Sequence, residues 1–189
     1  MLPQSLEERS LINELLPDHD FHAGYGIRIQ APPSVVYQRL LVADFTEIWI
    51  VRALMSLRSG RRIRRNAVPC DLPQRLQGTG FVILAEIPND ELVIGVAGRF
   101  WRPDGGRGLD LTADDFAGFS RPGYAKAAWN FKLRSETPES TLLSTETRIK
   151  CCGPSALWKF RLYWSLIGPF SGLIRKAILQ RIKAESEAR

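Results

Sequence analysis

Along residues 27–41, IRIQAPPSVVYQRLL, the spacing between apolar positions changes from two to four. Ile27, Ile29 and Ala31 alternate with Arg28 and Gln30, which predicts a half-buried strand from about Phe21 to Gln30. Beyond it Val36 and Leu40, then Tyr37 and Leu41, share a helical face and predict a helix from Pro33 to about Val42. The prolines suit this join, because the first turn of a helix has no use for the N–H that proline lacks.

The same reading extends along the chain. A short helix is expected within residues 5–16, ended by Pro17, and another from about Thr46 to Leu57. The runs GFVILAEI (80–87) and LVIGVAGRFW (92–101) flank the turn formers PNDE and predict a hairpin. Two further strands are expected over 124–136 and 140–151, followed by a long C-terminal helix that Pro169 should kink. Stretches 58–79 and 102–123 are rich in Gly and Pro and read as long loops, the second presenting Phe116 and Phe119 to solvent. Strand, helices, antiparallel strands and a long last helix make an α+β layout.

Composition narrows the class. A chain of 189 residues, 44% hydrophobic and 24% charged, suits one domain with a full core. Glu7, Glu8 and Arg9 interrupt the apolar run that a secretion signal needs, so a cytoplasmic location is expected. Cys70, Cys151 and Cys152 lack metal or disulfide spacing. The net charge of +6 is concentrated in Arg58, Arg61, Arg62, Arg64 and Arg65 and in Arg175, Lys176, Arg181 and Lys183. No aromatic residue is interleaved with the arginine cluster, so no nucleic acid partner is expected, and both groups read as solvated surface charge.

The opening signature, an alternating strand, Ala31-Pro32, then Tyr37 and Leu40 on the first helix, resembles that of the START-like (SRPBCC, helix-grip) superfamily. The ending IRKAILQRIKAE, an amphipathic C-terminal helix, is a second point of likeness. That superfamily includes polyketide cyclases, lipid-transfer domains and pathogenesis-related plant proteins. The resemblance covers Phe21 to about Ala184 and implies a curved antiparallel sheet wrapped around the last helix; a single domain over 1–189 is expected, with 1–20 as an extension. It also implies a cavity between sheet and helix that holds a hydrophobic small molecule such as a lipid, quinone or polyketide-like aromatic. It does not imply a reaction, and no cofactor is expected.

Strand periodicity supplies candidate lining residues. In 124–136, Lys126, Asn130, Lys132 and Arg134 share one face, leaving Ala125, Ala127, Trp129, Phe131 and Leu133 inward. In 140–151 the inward set is Thr141, Leu143, Thr145, Thr147 and Ile149. Taking Glu86 and Arg99 as outward puts Phe81, Ile83, Ala85, Ile94, Val96, Gly98 and Phe100 inside. The small residues among them leave room for a ligand or for the helix. Trp158 and Leu162 head an apolar stripe on the last helix, with Tyr163 beside it. Tyr163 and Thr145 combine an apolar body with a hydroxyl that can orient a ligand.

Alternatively Arg99, Glu146 and Arg148 point inward as a charged triplet around a carboxylate or phenolate, although an outer-face ion-pair ladder is less costly. Tyr163, Glu146 and Arg99 are the candidate acid–base groups for a cyclase or dehydratase. Asp18, His19, Asp20 and His22 lie close in sequence without the three or four convergent ligands that a metal requires, so no metal is expected. Residues 157–174 are mostly apolar, but Lys159, Arg161 and Pro169 interrupt them; contact with an anionic membrane surface fits this stretch better than a span. Oligomeric state has no signature in the sequence.

Overall fold

A computed structural model of the chain describes residues 10–43, 72, 76, 80–102 and 108–188. The helix expected over Thr46 to Leu57, the arginine cluster and Cys70 lie outside these residues. The described elements run α1 (Leu11–Leu15), β1 (Phe21–Ile29), α2 (Pro33–Val42), β2 (Val82–Ile87), β3 (Glu91–Gly98), α3 (Ala113–Gly118), β4 (Ala125–Thr137), β5 (Ser140–Cys151) and α4 (Pro154–Glu187). The strands form one antiparallel sheet in the order β1-β5-β4-β3-β2. With α4 packed across its inner face, the architecture is α+β and helix-grip in form.

Alternation in β4 and β5 divides the sheet as the charge pattern predicts. Phe131, Leu133 and Leu143 turn inward and meet Val36, Tyr37 and Leu40 of α2 and Ile178, Leu179 and Ile182 of α4. This half of the inner face is filled. The outer face carries Val93 and Ala128, covered by Ile12 and Leu16 from the N-terminal segment and by Phe116 of α3. Covered from both sides, β3 is buried along its whole length.

Two expectations differ from what the structure shows. A bulge between Ile83 and Ala85 adds one residue to β2 and reverses the faces beyond it. Ala85 therefore pairs with outward Val93, and Glu86, expected outward, accepts a hydrogen bond from the Tyr37 hydroxyl on α2. Phe116 is buried rather than exposed, because α3 forms within the 102–123 stretch. A capping box starts that helix, Thr112 accepting from the Asp115 backbone while the Asp115 carboxylate accepts from that of Thr112. At its other end the Lys126 amine donates to the Phe116 and Ala117 carbonyls at 3.1 and 3.0 Å, the favourable place for a cation. The last helix, α4, is continuous from Pro154 to Glu187 and carries Pro169 inside it.

Candidate functional site

Toward the other end of the sheet the inner side chains are Val96, Ala127, Trp129, Thr147 and Ile149, and the first half of α4 crosses them. That stretch of helix is aromatic. Phe160 is buried at the centre of a ring cluster, 4.9 Å from Phe21, 6.2 Å from Phe100, 6.5 Å from Trp101 and 5.5 Å from the stacked Trp164. Large rings propped against one another cannot follow the small side chain of Ala127 down to the sheet. A cavity of about 580 Å³ results, open on one side, a size suited to a small molecule. Its remaining walls are Phe81 from the approach to β2, Arg102, and Tyr163, Leu166, Ile167, Phe170, Ser171 and Ile174 from α4.

Five of the expected contact residues stand on this wall: Phe81, Val96, Phe100, Trp129 and Tyr163. Ile83, Phe131 and Leu143 instead belong to the filled half, where α2 occupies the space. The Thr145 hydroxyl accepts from Trp129 Nε1 at 2.5 Å and donates to the Asn130 carbonyl at 2.6 Å, which commits it to the sheet. Trp158 and Leu162 point away from the cavity and are 64% and 52% exposed. The helical phase explains this: Trp158 lies about 200° around the axis from Phe160.

The charged triplet does not assemble. Glu146 and Arg148 lie on the outer face, where Arg148 donates to Glu146 at 2.6 Å, to Asn13 Oδ1 at 2.5 Å and to the Leu16 carbonyl at 3.3 Å. Arg148 thereby ties down the C-terminal end of α1. Arg99 stacks its guanidinium over the Tyr124 ring, 4.4 Å from the centroid, away from the cavity.

Arg175, read from sequence as surface charge, is the polar group that reading missed. It falls in helical register with Ser171, Ile178 and Ile182, and only 7% of it is exposed. Burial pulls the pKa of its guanidinium down, and the nearby Tyr25 opposes that shift. Its Nε donates to Thr147 Oγ1 at 3.1 Å and its Nη1 to Ser171 Oγ at 2.8 Å. Both hydroxyls belong to the cavity wall.

A second concavity lies on the outer face between Leu15 and Phe119, beside Lys126 and Lys150. Its cations are engaged: Lys126 with the α3 carbonyls, Lys150 with Asp18 at 2.8 Å and Asp20 at 3.5 Å. The His19 ring approaches the Pro17 carbonyl, while His22 faces Glu146 at 4.0 Å. No group of three or more His, Cys, Asp and Glu side chains converges among the described residues.

No family model matches the chain, and no curated protein matches it in sequence. Among solved structures it is similar to a conserved protein from Geobacillus kaustophilus (13% identity, TM-score 0.44, 88% of this chain and 95% of that one). A hypothetical protein from Helicobacter pylori is similar over 95% of both chains (12% identity, TM-score 0.48). The di-domain ARO/CYC protein BexL of the BE-7585A biosynthetic pathway is similar over 93% of this chain and 53% of its own (13% identity, TM-score 0.35). Likeness at this level carries no argument about activity, and the fold assignment rests on the topology itself.

Proposed function

We propose that the protein binds an apolar small molecule in the cavity between the sheet and the first half of α4. The observation that carries this reading is the hollow itself: about 580 Å³ with predominantly aliphatic and aromatic walls, beside a half of the sheet that is filled. Burying ligand carbon there is worth roughly 25 cal/mol per Å² before the cost of association. The START-like resemblance of the Ile27 to Leu41 stretch supports the same use, as a lipid, quinone or polyketide-like binder or carrier. A cyclase or dehydratase needs an acid or base at the reacting centre. Of the described lining residues, the polar ones are Tyr163, Thr147, Ser171 and Arg102, with no carboxylate or histidine, so binding is the reading they support better. Native mass spectrometry of gently purified protein, followed by denaturing extraction, tests it. A stoichiometric apolar adduct is expected, and failure to take up any of a set of added apolar probes would refute it.

The outward side of α4 favours an accompanying role. Trp158, Leu162, Leu166 and Phe170 recur every four residues and are exposed, Leu166 at 71%. Between Pro154 and Ala184 the helix carries six basic residues and no acidic one. No described helix is long and apolar enough to cross a membrane. An apolar stripe on a basic helix suits an anionic bilayer surface, where indole and aliphatic side chains enter the interface and lysines meet head groups. Leu166 and Phe170 also form cavity wall, so docking by this stripe would bring the cavity to the lipid.

A further inference from the structure

Arg175 sits one helical turn after Ser171 on the buried side of α4, and Thr147 of β5 faces it. Among the described residues its guanidinium hydrogen-bonds to these two neutral hydroxyls, and no carboxylate pairs with it. This is uncommon, since a buried cation ordinarily recovers part of its lost hydration from an anion. The geometry around the hydroxyls is equally informative. Each accepts from the guanidinium, so each has its own proton turned elsewhere, and among the described residues neither donates to a protein acceptor. Thr147 and Ser171 both line the cavity. Two O–H donors, backed by a fixed positive charge, therefore stand on a largely apolar wall, where electrostatic attraction is stronger than in water.

We propose that this patch recognises an anionic head group of the carboxylate class on an apolar ligand, with Thr147 and Ser171 as direct donors and Arg175 as the charge behind them. The proposal rests on the reading of the cavity as a ligand site and adds the polarity of what enters it. The expected ligand has an acidic end directed to the Thr147–Ser171 wall and an apolar body against the aromatic cluster. A neutral compound with the same tail loses the charge-assisted hydrogen bonds and leaves the guanidinium without a counter-charge.

The test uses the full chain and the neutral dye N-phenyl-1-naphthylamine, displaced at neutral pH by decanoate or by 1-decanol. Decanoate should displace the dye at a concentration roughly tenfold lower than the alcohol, despite being the more hydrophilic probe. Arg175→Met should abolish the preference, decanoate then displacing the dye no better than decanol does. Thr147→Val and Ser171→Ala, which keep the guanidinium, should each reduce it several-fold, and they carry the test if Arg175→Met fails to fold. Equal displacement by the two probes, or a preference that survives these substitutions, overturns the anion reading and leaves the cavity reading standing. Absence of saturable dye and probe binding overturns both.

Discussion

The hydroxyl of Tyr25 on β1 rests against the backbone of Gly172 in α4, so close that a β-carbon on that glycine would stand 2.4 Å from the phenol oxygen. Glycine within a helix costs about 1 kcal/mol relative to alanine, which here is offset by the close approach of helix to sheet. Gly172→Ala should therefore destabilise the fold by about 1–3 kcal/mol in urea denaturation, the steric overlap exceeding the gain in helix propensity. Tyr25→Phe in the same chain removes the clashing oxygen and should recover most of the loss.

Glu91 is fully buried beneath the N-terminal segment. Its carboxylate accepts from Ser10 Oγ at 2.5 Å, from the Leu11 backbone N–H at 2.9 Å and from Asn130 Nδ2 at 2.7 Å, and Lys132 lies 3.4 Å away. Glu91→Ala removes the acceptor shared by Ser10, Leu11 and Asn130, while Lys132 keeps Asp90 at 3.0 Å, and should cost about 2–4 kcal/mol. Hydrogen exchange should rise first over residues 10–16, since α1 is held by this carboxylate at one end and by Arg148 at the other. An effect spread evenly over the sheet would contradict that arrangement.

Burial pushes the Cys151 thiol up to about 12, with the Asp20 carboxylate adding to the shift, and Cys152 is raised too. In a Cys70→Ser background at pH 8, Cys151 should react with a disulfide reagent roughly a hundred- to a thousandfold more slowly than in urea, its thiolate fraction falling with the shift. The same shift predicts a stability slope. Above the ordinary thiol pKa of about 8.5 the unfolded chain binds fewer protons at this site than the folded one, so stability from Cys151 is intact below that pH and declines as pH rises toward 12. Cys151→Ala should flatten the alkaline decline in thermal midpoint.

The exposed stripe of α4 makes a separate prediction. Trp158→Glu and Leu162→Glu alter residues outside the cavity wall, so ligand binding should persist. Flotation with vesicles containing phosphatidylserine should drop several-fold for both variants, and wild-type flotation should weaken as salt rises. Salt-insensitive flotation would contradict the role assigned to the basic residues.

Much of the fold could be read from the chain because neighbouring positions disagree in polarity. Lys126, Asn130 and Lys132 alternate with Ala127, Trp129 and Phe131, and a single parity choice places all six. Parity cannot register an inserted residue, so the β2 bulge reversed Ala85 and Glu86. On α4 a stripe begun at Trp158 and Leu162 is out of phase with the buried face; counting every apolar position from Ala156 through Ile182 turns the face correctly. Arg175 was hidden by its own charge. Its register with Ser171, Ile178 and Ile182 was the available signal, but a cation on an apolar stripe becomes conspicuous only once the stripe is known to be buried. The Thr112 to Asp115 capping box was likewise legible as a helix start within a stretch whose Gly and Pro content suggested loop.

The central claim is that the space beside Ala127 is a hollow that takes a ligand, and the most direct test fills it from within. Ala127→Leu places three more carbons in the cavity while leaving the filled half of the core untouched. Titration with N-phenyl-1-naphthylamine should give saturable one-to-one binding to the wild type. The variant should show an affinity at least about tenfold lower, with stability changed by less than about 1.5 kcal/mol because the added side chain enters existing space. A variant that binds the dye as well as the wild type does, or one destabilised by several kcal/mol as a packed core would be, would contradict the account.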